Sequence, residues 1–544
     1  MSHNTKCIKI HNDILTKLKD DFKENLNITD IQTYFPILAL FFEFYNDSDT
    51  SFILNSNFIV KSLLEPIEQI KSDSYIKHFF KASILNQNNN ETIEKNIFVK
   101  ILPLINISQA MMNEYNLEHN NRLPNIHASL TSKKINNYNN SAYIDSFFSY
   151  LGSRLTESGK CPSFPLFFGT FTGVADEFKY DITEEYSSIK NTSWYKKYNN
   201  NKFTIHSVDL ERPERPENDS LKKIVTIDDD CQDITHLLNN DDFLEIYKSD
   251  DELEKPNSSV EESNNELNSD ESGTDESGSY DSDISVNLGN LDNISINSDS
   301  DLSLSSCDIY EINYCCIKDY PVQINCIEML DGTLDNYIEK VENNIPETEW
   351  KSILFQVCFG LSVAQKQYDF VHNDLHSSNI MFKETQLEYL YYNFKGTYFK
   401  IPTFGKISKI IDFGRATFNY KKKLFFSDVF KKNGEAEGQY NYPYLNNLDK
   451  CKIKPNKSFD LSRLATTIIE HFEEDSDIYR LLKLWCSDKY GNFLMELNDD
   501  FNLYKIIAKN VKSAVPKNQI NKLIFKEFIV EKDSINANEY IYNY

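Results

Sequence analysis

The chain has 544 residues, with 57 Lys and Arg against 83 Asp and Glu, a formal charge of −26. That length exceeds one average domain and fits a two-lobed catalytic unit with a tail or insert, and the negative balance argues against a nucleic-acid partner bound through phosphate contacts. Ten cysteines without a C-x-x-C pair imply neither a disulfide framework nor a zinc site.

The N-terminus lacks an apolar signal core, and the longest apolar stretch, Tyr34 to Tyr45, is too short for a membrane span. A soluble protein in a reducing, intracellular compartment is expected, with no membrane partner. Apolar runs at Ile14, Leu15 and Leu18 and from Ile37 to Phe42 predict short helices in an extension over residues 1–56. Three β-like runs follow, Phe58 to Ile67, Tyr75 to Ile84 and Asn96 to Leu102, and they predict a small antiparallel sheet. Tyr143, Phe147, Tyr150, Leu151 and Leu155 mark one face of a helix, and Phe164 to Gly169 reads as a buried strand.

Residues 210–306 change character. Between Ser249 and Ser306 stand 16 Asp or Glu against one Lys, which is −15 of the total charge. A segment this acidic and serine-rich cannot bury a core, so it is expected to be a disordered insert with a transient helix near Ile234 to Tyr247. Order is expected again from Ile309, with a strand at Val322 to Ile327 and a turn into an amphipathic stretch at Glu328 to Leu334. Trp350, Ile353, Leu354, Val357, Leu361 and Ala364 recur at helical spacing and deliver the chain to His372. Further helices are predicted at Phe459 to Ala465, Leu481 to Trp485 and Tyr504 to Val511.

The chemistry concentrates in Val371-His372-Asn373-Asp374-Leu375-His376-Ser377-Ser378-Asn379-Ile380-Met381 and, 33 residues after Asn379, in Ile410-Ile411-Asp412-Phe413-Gly414. The pattern is H-x-D-L-x-x-x-N followed by D-F-G. A carboxylate at Asp374 can orient an attacking hydroxyl and accept its proton, while Asn379 and Asp412 offer oxygen ligands to magnesium ions bridging ATP phosphates.

This order of motifs resembles the protein-kinase-like superfamily over roughly residues 57–200 and 309–510. Together with Ser458-Phe459-Asp460-Leu461-Ser462-Arg463-Leu464 and an Asn-rich opening, it resembles the serine/threonine-kinase-like proteins of giant DNA viruses. The resemblance implies an α+β, two-lobed fold: an antiparallel N-lobe in residues 57–209 and 307–330, interrupted by the acidic insert, and a mainly helical C-lobe in residues 331–544. It implies ATP and Mg2+ as cofactors, a protein substrate as partner, and a place in the host cytoplasm or the virion. Carried over one position at a time, Asp374 matches the catalytic-loop aspartate, and Asn379 and Asp412 match the metal ligands. Lys100 matches the lysine on the α- and β-phosphates, with Asp145 as its helix partner and Glu114 as the competing carboxylate. Ile327, Glu328, Met329 and Leu330 match the adenine-binding hinge, Asp460 the anchor of the catalytic loop, and His372 its packed histidine.

Five departures bear on activity. No glycine precedes Gly152, so no G-x-G-x-x-G loop can draw backbone amides close to phosphate. Asn373 stands where many kinases carry the arginine that reads activation-loop phosphorylation, and His376 stands where a phosphate-contacting lysine is common. The long Asn379 to Asp412 interval predicts an added β-hairpin over Leu387 to Pro402 around Gly396. No Ala-Pro-Glu follows the D-F-G, and Gln439 to Tyr444 occupies that region. Two further readings stay open beside a protein kinase: a small-molecule kinase of the choline or aminoglycoside type, and a pseudokinase scaffold.

Overall fold

Ile97, Val99 and Ile101 alternate with Asn96, Phe98 and Lys100, so one face of this segment is buried and the other carries the lysine. The computed structural model describes residues 6–43, 51–67, 77–115, 121–127, 132–211, 309–431, 434–440, 455–496 and 500–544. The predicted acidic insert, apart from Leu210 and Glu211, lies outside the described residues, as do the helix expected near Ile234 and the residues 441–444.

The first half opens with β1 (Cys7–Lys9), α1 (Asn12–Leu26), β2 (Ile28–Gln32) and β3 (Phe52–Leu54). Then come β4 (Phe58–Pro66), β5 (Lys77–Asn86) and β6 (Glu91–Pro103), the three runs read from the sequence. After α2 (Ile107–Met111) and α3 (Ser141–Glu157), the chain forms β7 (Phe167–Asp181), α4 (Thr183–Ile189), α5 (Ser193–Tyr198) and β8 (Thr204–Glu211). From β9 (Ile309–Glu328) it passes through β10 (Gly332–Thr333) and α6 (Leu334–Lys340) to the long α7 (Glu347–Tyr368).

Among the described residues, a seven-stranded sheet runs in the order β2-β7-β9-β6-β5-β4, with β8 pairing on β9. Two expectations are corrected here. The first 56 residues are not purely a helical extension. Asn27 ends α1 in the left-handed region (φ 53°), and the β-branched Ile28, Thr29 and Ile31 that follow add β2 to the main sheet beside β7. The run from Ile37 to Phe42 gives only a 3-10 turn at Leu38–Leu40. The strand expected at Phe164 to Gly169 begins later, after Pro165, and continues to Asp181 because its partner β9 is 20 residues long.

The helical part continues with β11 (Ile380–Glu384), β12 (Tyr389–Phe394), β13 (Thr397–Pro402), β14 (Lys406–Ile410), β15 (Thr417–Tyr420) and β16 (Lys423–Phe426). Next come α8 (Phe459–Ile468), α9 (Asp477–Trp485) and α10 (Asp500–Asn510), then β17 (Ile529–Val530) and β18 (Ile541–Asn543). The hairpin β12–β13 turns at Lys395 and Gly396, which stand at φ 51° and 92°, and it joins β17 and β18 in a sheet ordered β17-β13-β12-β18. Its inner face packs on α7, with Tyr392 4.6 Å from Phe359 and Phe399 4.9 Å from Phe355, ring centre to ring centre.

Helix α7 runs through the core and meets the segment between α3 and β7. A Cβ on Gly360 would stand 2.5 Å from the Ser163 Cβ, so the approach needs glycine. Ser163 in turn donates to the Gln356 carbonyl (3.2 Å) and accepts the Ile410 amide (2.8 Å), which ties α7 to β14, the strand leading into Asp412. Helix α3 is capped by Asn140, whose side chain accepts from Ala142 N at 3.1 Å, a contact contributing about 1 kcal/mol. Among the described residues, no helix is long and apolar enough to cross a membrane.

Candidate active site

Lys100, on the outward face of β6, meets two carboxylates. Its Nζ lies 3.2 Å from Asp145 Oδ1 on α3 and 2.9 Å from Asp412 Oδ1, a residue 312 positions later in the chain. The Asp145 side chain is 2% exposed and the Asp412 side chain 51%, so only the first is a fully buried charge. Asp145 is therefore held on every side: Oδ1 also accepts the Phe413 amide at 2.7 Å, and Oδ2 accepts from Asn325 Nδ2 at 2.9 Å. Asn325 is oriented by Ser146 (2.7 Å) and Thr170 (2.6 Å), which donate to its Oδ1.

The charges reshape one another. The ammonium of Lys100 pulls the Asp412 carboxyl down to about 2, against the opposing effect of burial. Burial raises Asp145, with Lys100 pulling the other way. Burial disfavours the Lys100 charge, yet its two carboxylates outweigh that and raise it. Asp145, and not Glu114, is the α3-borne carboxylate that meets Lys100.

Asp374 sits in the loop between α7 and β11, and this loop is fastened to α8. Asp460 Oδ2 and Oδ1 accept the backbone amides of His372 and Asn373, each at 3.0 Å. Burial pushes the Asp460 carboxyl up to about 7 although both amides favour its charged form. Thr467 Oγ1, two turns along the same helix, accepts the Ser377 amide at 3.2 Å. Asn373 takes a left-handed backbone (φ 66°), tolerable for asparagine, and its Nδ2 donates to the carbonyls of Val371 and Arg415. Tyr440 donates to Asn373 Oδ1 from the segment that follows the D-F-G.

His372 is buried, and Nε2 donates to the Ile411 carbonyl at 2.7 Å; burial holds it below the usual range, hence neutral. Burial likewise lowers His376, whose Nε2 takes a hydrogen bond from Asn379 Nδ2 at 3.1 Å. Its Nε2 is thus an acceptor, leaving Nδ1 as the donor for anything in the cleft. Asn379 Nδ2 also donates to the Asp374 carbonyl (2.9 Å), so Asn379 Oδ1 has no partner among the described residues, and neither has Asp412 Oδ2.

Beyond the lysine, a cavity of about 440 Å3 opens between the end of β9 and β11, lined by Lys95, Asn96, Phe168, Glu328, Met329 and Lys383. The expected hinge therefore borders it, but several of its polar groups are already engaged. Glu328 N donates to Leu166 O (2.8 Å), Met329 N to Asn96 O (3.4 Å), and Met329 O accepts from Lys383 Nζ (3.1 Å). The Glu328 carboxylate accepts Leu166 N (3.1 Å) and pairs with Lys409 (3.4 Å). Leu330 is buried, Ile327 half-buried across from Phe98, and the Leu330 amide takes no partner among the described residues.

Sequence reasoning missed Asn325, Lys383, Arg415, Arg463, Thr467 and Tyr504. Only Thr467 and Arg463 left a signal, their seven- and three-residue steps from Asp460.

The family described as protein tyrosine and serine/threonine kinase matches residues 302–429. Over 94 residues, 17% of this chain and 12% of the relative, the chain is 34% identical to the serine/threonine-protein kinase haspin of Bos taurus. It is 36% identical over 81 residues to the haspin homolog of Arabidopsis thaliana, covering 15% of this chain and 14% of that one. A serine/threonine-protein-kinase-like protein of Acanthamoeba polyphaga mimivirus, R301, is 30% identical over 203 residues, 30% of this chain and 49% of that protein. The chain spans at most about half the length of these relatives. It is similar to serine/threonine-protein kinases, as its motifs imply, and the similarity includes a viral relative.

Proposed function

We propose that this protein transfers the γ-phosphate of ATP to a serine or threonine hydroxyl of a protein. The observation that carries the reading is the meeting of Lys100 with Asp145 and Asp412, because three segments distant in sequence converge on one ammonium beside the loop that bears Asp374. Residues 57–209 and 307–330 then act as the upper lobe and residues 331–544 as the lower, with Ile327, Glu328 and Leu330 at the hinge where the free Leu330 amide can meet adenine. Within residues 1–56, α1 and β2 brace the upper lobe.

In this reading Lys100 holds the α- and β-phosphates while Asp145 keeps it aimed. Asp374 orients the acceptor hydroxyl and takes its proton. The unpartnered oxygens of Asn379 and Asp412 fit a hard cation, and the absence, among the described residues, of a cluster of three or more His, Cys, Asp or Glu fits a metal that keeps waters and substrate oxygens as its other ligands. Magnesium, when bound, neutralises charge on the phosphoryl oxygens. His372 and Asp460 hold the loop in shape, and His376 offers Nδ1 as a neutral donor.

The test is transfer of radiolabelled γ-phosphate from ATP-Mg to the protein itself, casein and histone, with Asp374→Asn as control. Label that falls by about 100- to 10,000-fold in the variant supports the reading. No label with either protein, with ATP still raising the Tm of the wild type, overturns it in favour of a scaffold. Label found on amino-alcohol or aminoglycoside acceptors alone overturns it in favour of a small-molecule kinase.

A further inference from the structure

We propose that Tyr504 is a positioning residue for Asp374: its phenol, fixed from α8, holds the carboxylate in the orientation that proton acceptance requires. This rests on the kinase reading above.

Tyr504 reaches the loop from α10, 130 residues away in sequence. Its hydroxyl donates to Asp374 Oδ1 at 2.6 Å, while Arg415 Nε stands 3.5 Å from Oδ2. The phenol's own acceptor side is taken, since Arg463 Nε donates to it at 3.0 Å. A hydroxyl has one hydrogen, so with its oxygen accepting from Arg463 the hydrogen is directed to Asp374. The ring is gripped as well: the guanidinium carbons of Arg463 and Arg415 lie 5.1 and 5.9 Å from its centre, and Phe459 5.8 Å. Arg463 is itself anchored to Thr466 at 3.1 Å.

The origin of these contacts decides what the phenol does. Asp460, Arg463 and Thr467 stand at i, i+3 and i+7 on α8, one stripe of one helix. Through them α8 holds the backbone of His372 and Asn373, the Asp374 side chain by way of Tyr504, and the Ser377 amide. Tyr504 is thus part of the loop's frame and not a segment laid over a finished site. Its burial and the neighbouring Asp374 charge both raise the phenol, so it stays protonated and donating. A donor on Oδ1 stops the carboxylate rotating, with the remaining lone pairs open to an acceptor hydroxyl.

The full-length protein with Tyr504→Phe keeps the ring and loses only the donor. The measurements are kcat and KM for ATP on casein, and Tm for Tyr504→Phe, Asp374→Ala and the double variant, since alanine removes the Oδ1 that accepts the phenol. The expected result is a kcat lower by about tenfold, the equivalent of one lost hydrogen bond, with KM for ATP unchanged. The Tm losses of the single variants should sum to more than that of the double. A Tyr504→Phe protein with wild-type kcat, or with raised activity as a blocking phenol would give, overturns the proposal. Additive Tm losses overturn it whatever the activity. A wild type that transfers no label, with non-additive Tm losses, overturns the kinase reading while the clamp on Asp374 stands.

Discussion

The Lys100 wall of the cleft and the Asp374 wall are held by different forces. At Lys100 three charged groups balance one another with few neutral contacts beyond Asn325, and one of them, Asp145, is buried outright. At Asp374 the loop is fastened mainly through backbone amides that end on a single helix, at His372, Asn373 and Ser377. The first arrangement depends on every charge being present, whereas the second is a set of partly independent attachments. One wall should fail all at once, the other by degrees.

Removing the central charge breaks the comparison most severely. Lys100→Met leaves the buried Asp145 beside Asp412 with no cation, and by analogy with other broken buried pairs the loss of unfolding free energy should be about 3 kcal/mol, readable by urea denaturation. Label transfer should disappear with it. A variant as stable as wild type would mean that the carboxylates do not need the lysine.

Asp460→Asn attacks the other wall at its strongest point. The amide offers one acceptor where the carboxylate offered two, so one of the His372 and Asn373 amides loses its partner, at a cost of about 2 kcal/mol. The pH dependence sharpens the contrast. Asp460 titrates near 7 when folded and near 3.8 as a free carboxyl, so between roughly pH 4 and 7 the folded state binds more protons and stability falls as pH rises. Asp412 is the opposite case: its contribution is present above about pH 4 and is lost as pH falls through about 2. Urea midpoints measured from pH 4.5 to 7.5 should therefore decline for wild type and lie flatter for Asp460→Asn. Equal slopes would exclude Asp460 as the titrating group.

Thr467→Val is the mildest of these changes. It keeps the shape and removes the hydroxyl that accepts Ser377 N and donates to the Leu464 carbonyl within α8, so about 1 kcal/mol should be lost with the loop otherwise intact. A loss as large as that of Lys100→Met would erase the distinction between the two walls.

The same distinction governs what could be read in advance. The strands β4 to β6, helices α3 and α7, and the hairpin at Gly396 announce themselves through periodicity and turn residues, which are local properties. Asp374, Asn379 and Asp412 announce themselves by spacing, and Lys100 by its place on an apolar strand. Asp145 could be chosen over Glu114 because it lies on a regular helix. Tyr504 could not be found this way, since its role depends on where α10 lands 130 residues after the loop, and Asn325 looks like any polar residue within a strand. The added strand β2 was hidden because five residues after a helix carry too little pattern to separate strand from helix.

The hairpin β12–β13 carries a consequence for synthesis. One edge of β12 pairs with β13 immediately, but the other waits for β18, whose Asn543 lies 150 residues beyond its partner Asn393. While the ribosome makes the intervening chain, that edge exposes unpaired amides and carbonyls beside aromatic side chains, the geometry that recruits foreign strands. Residues 541–543 then serve as a built-in chaperone, and nascent chains stalled before them should be the aggregation-prone ones.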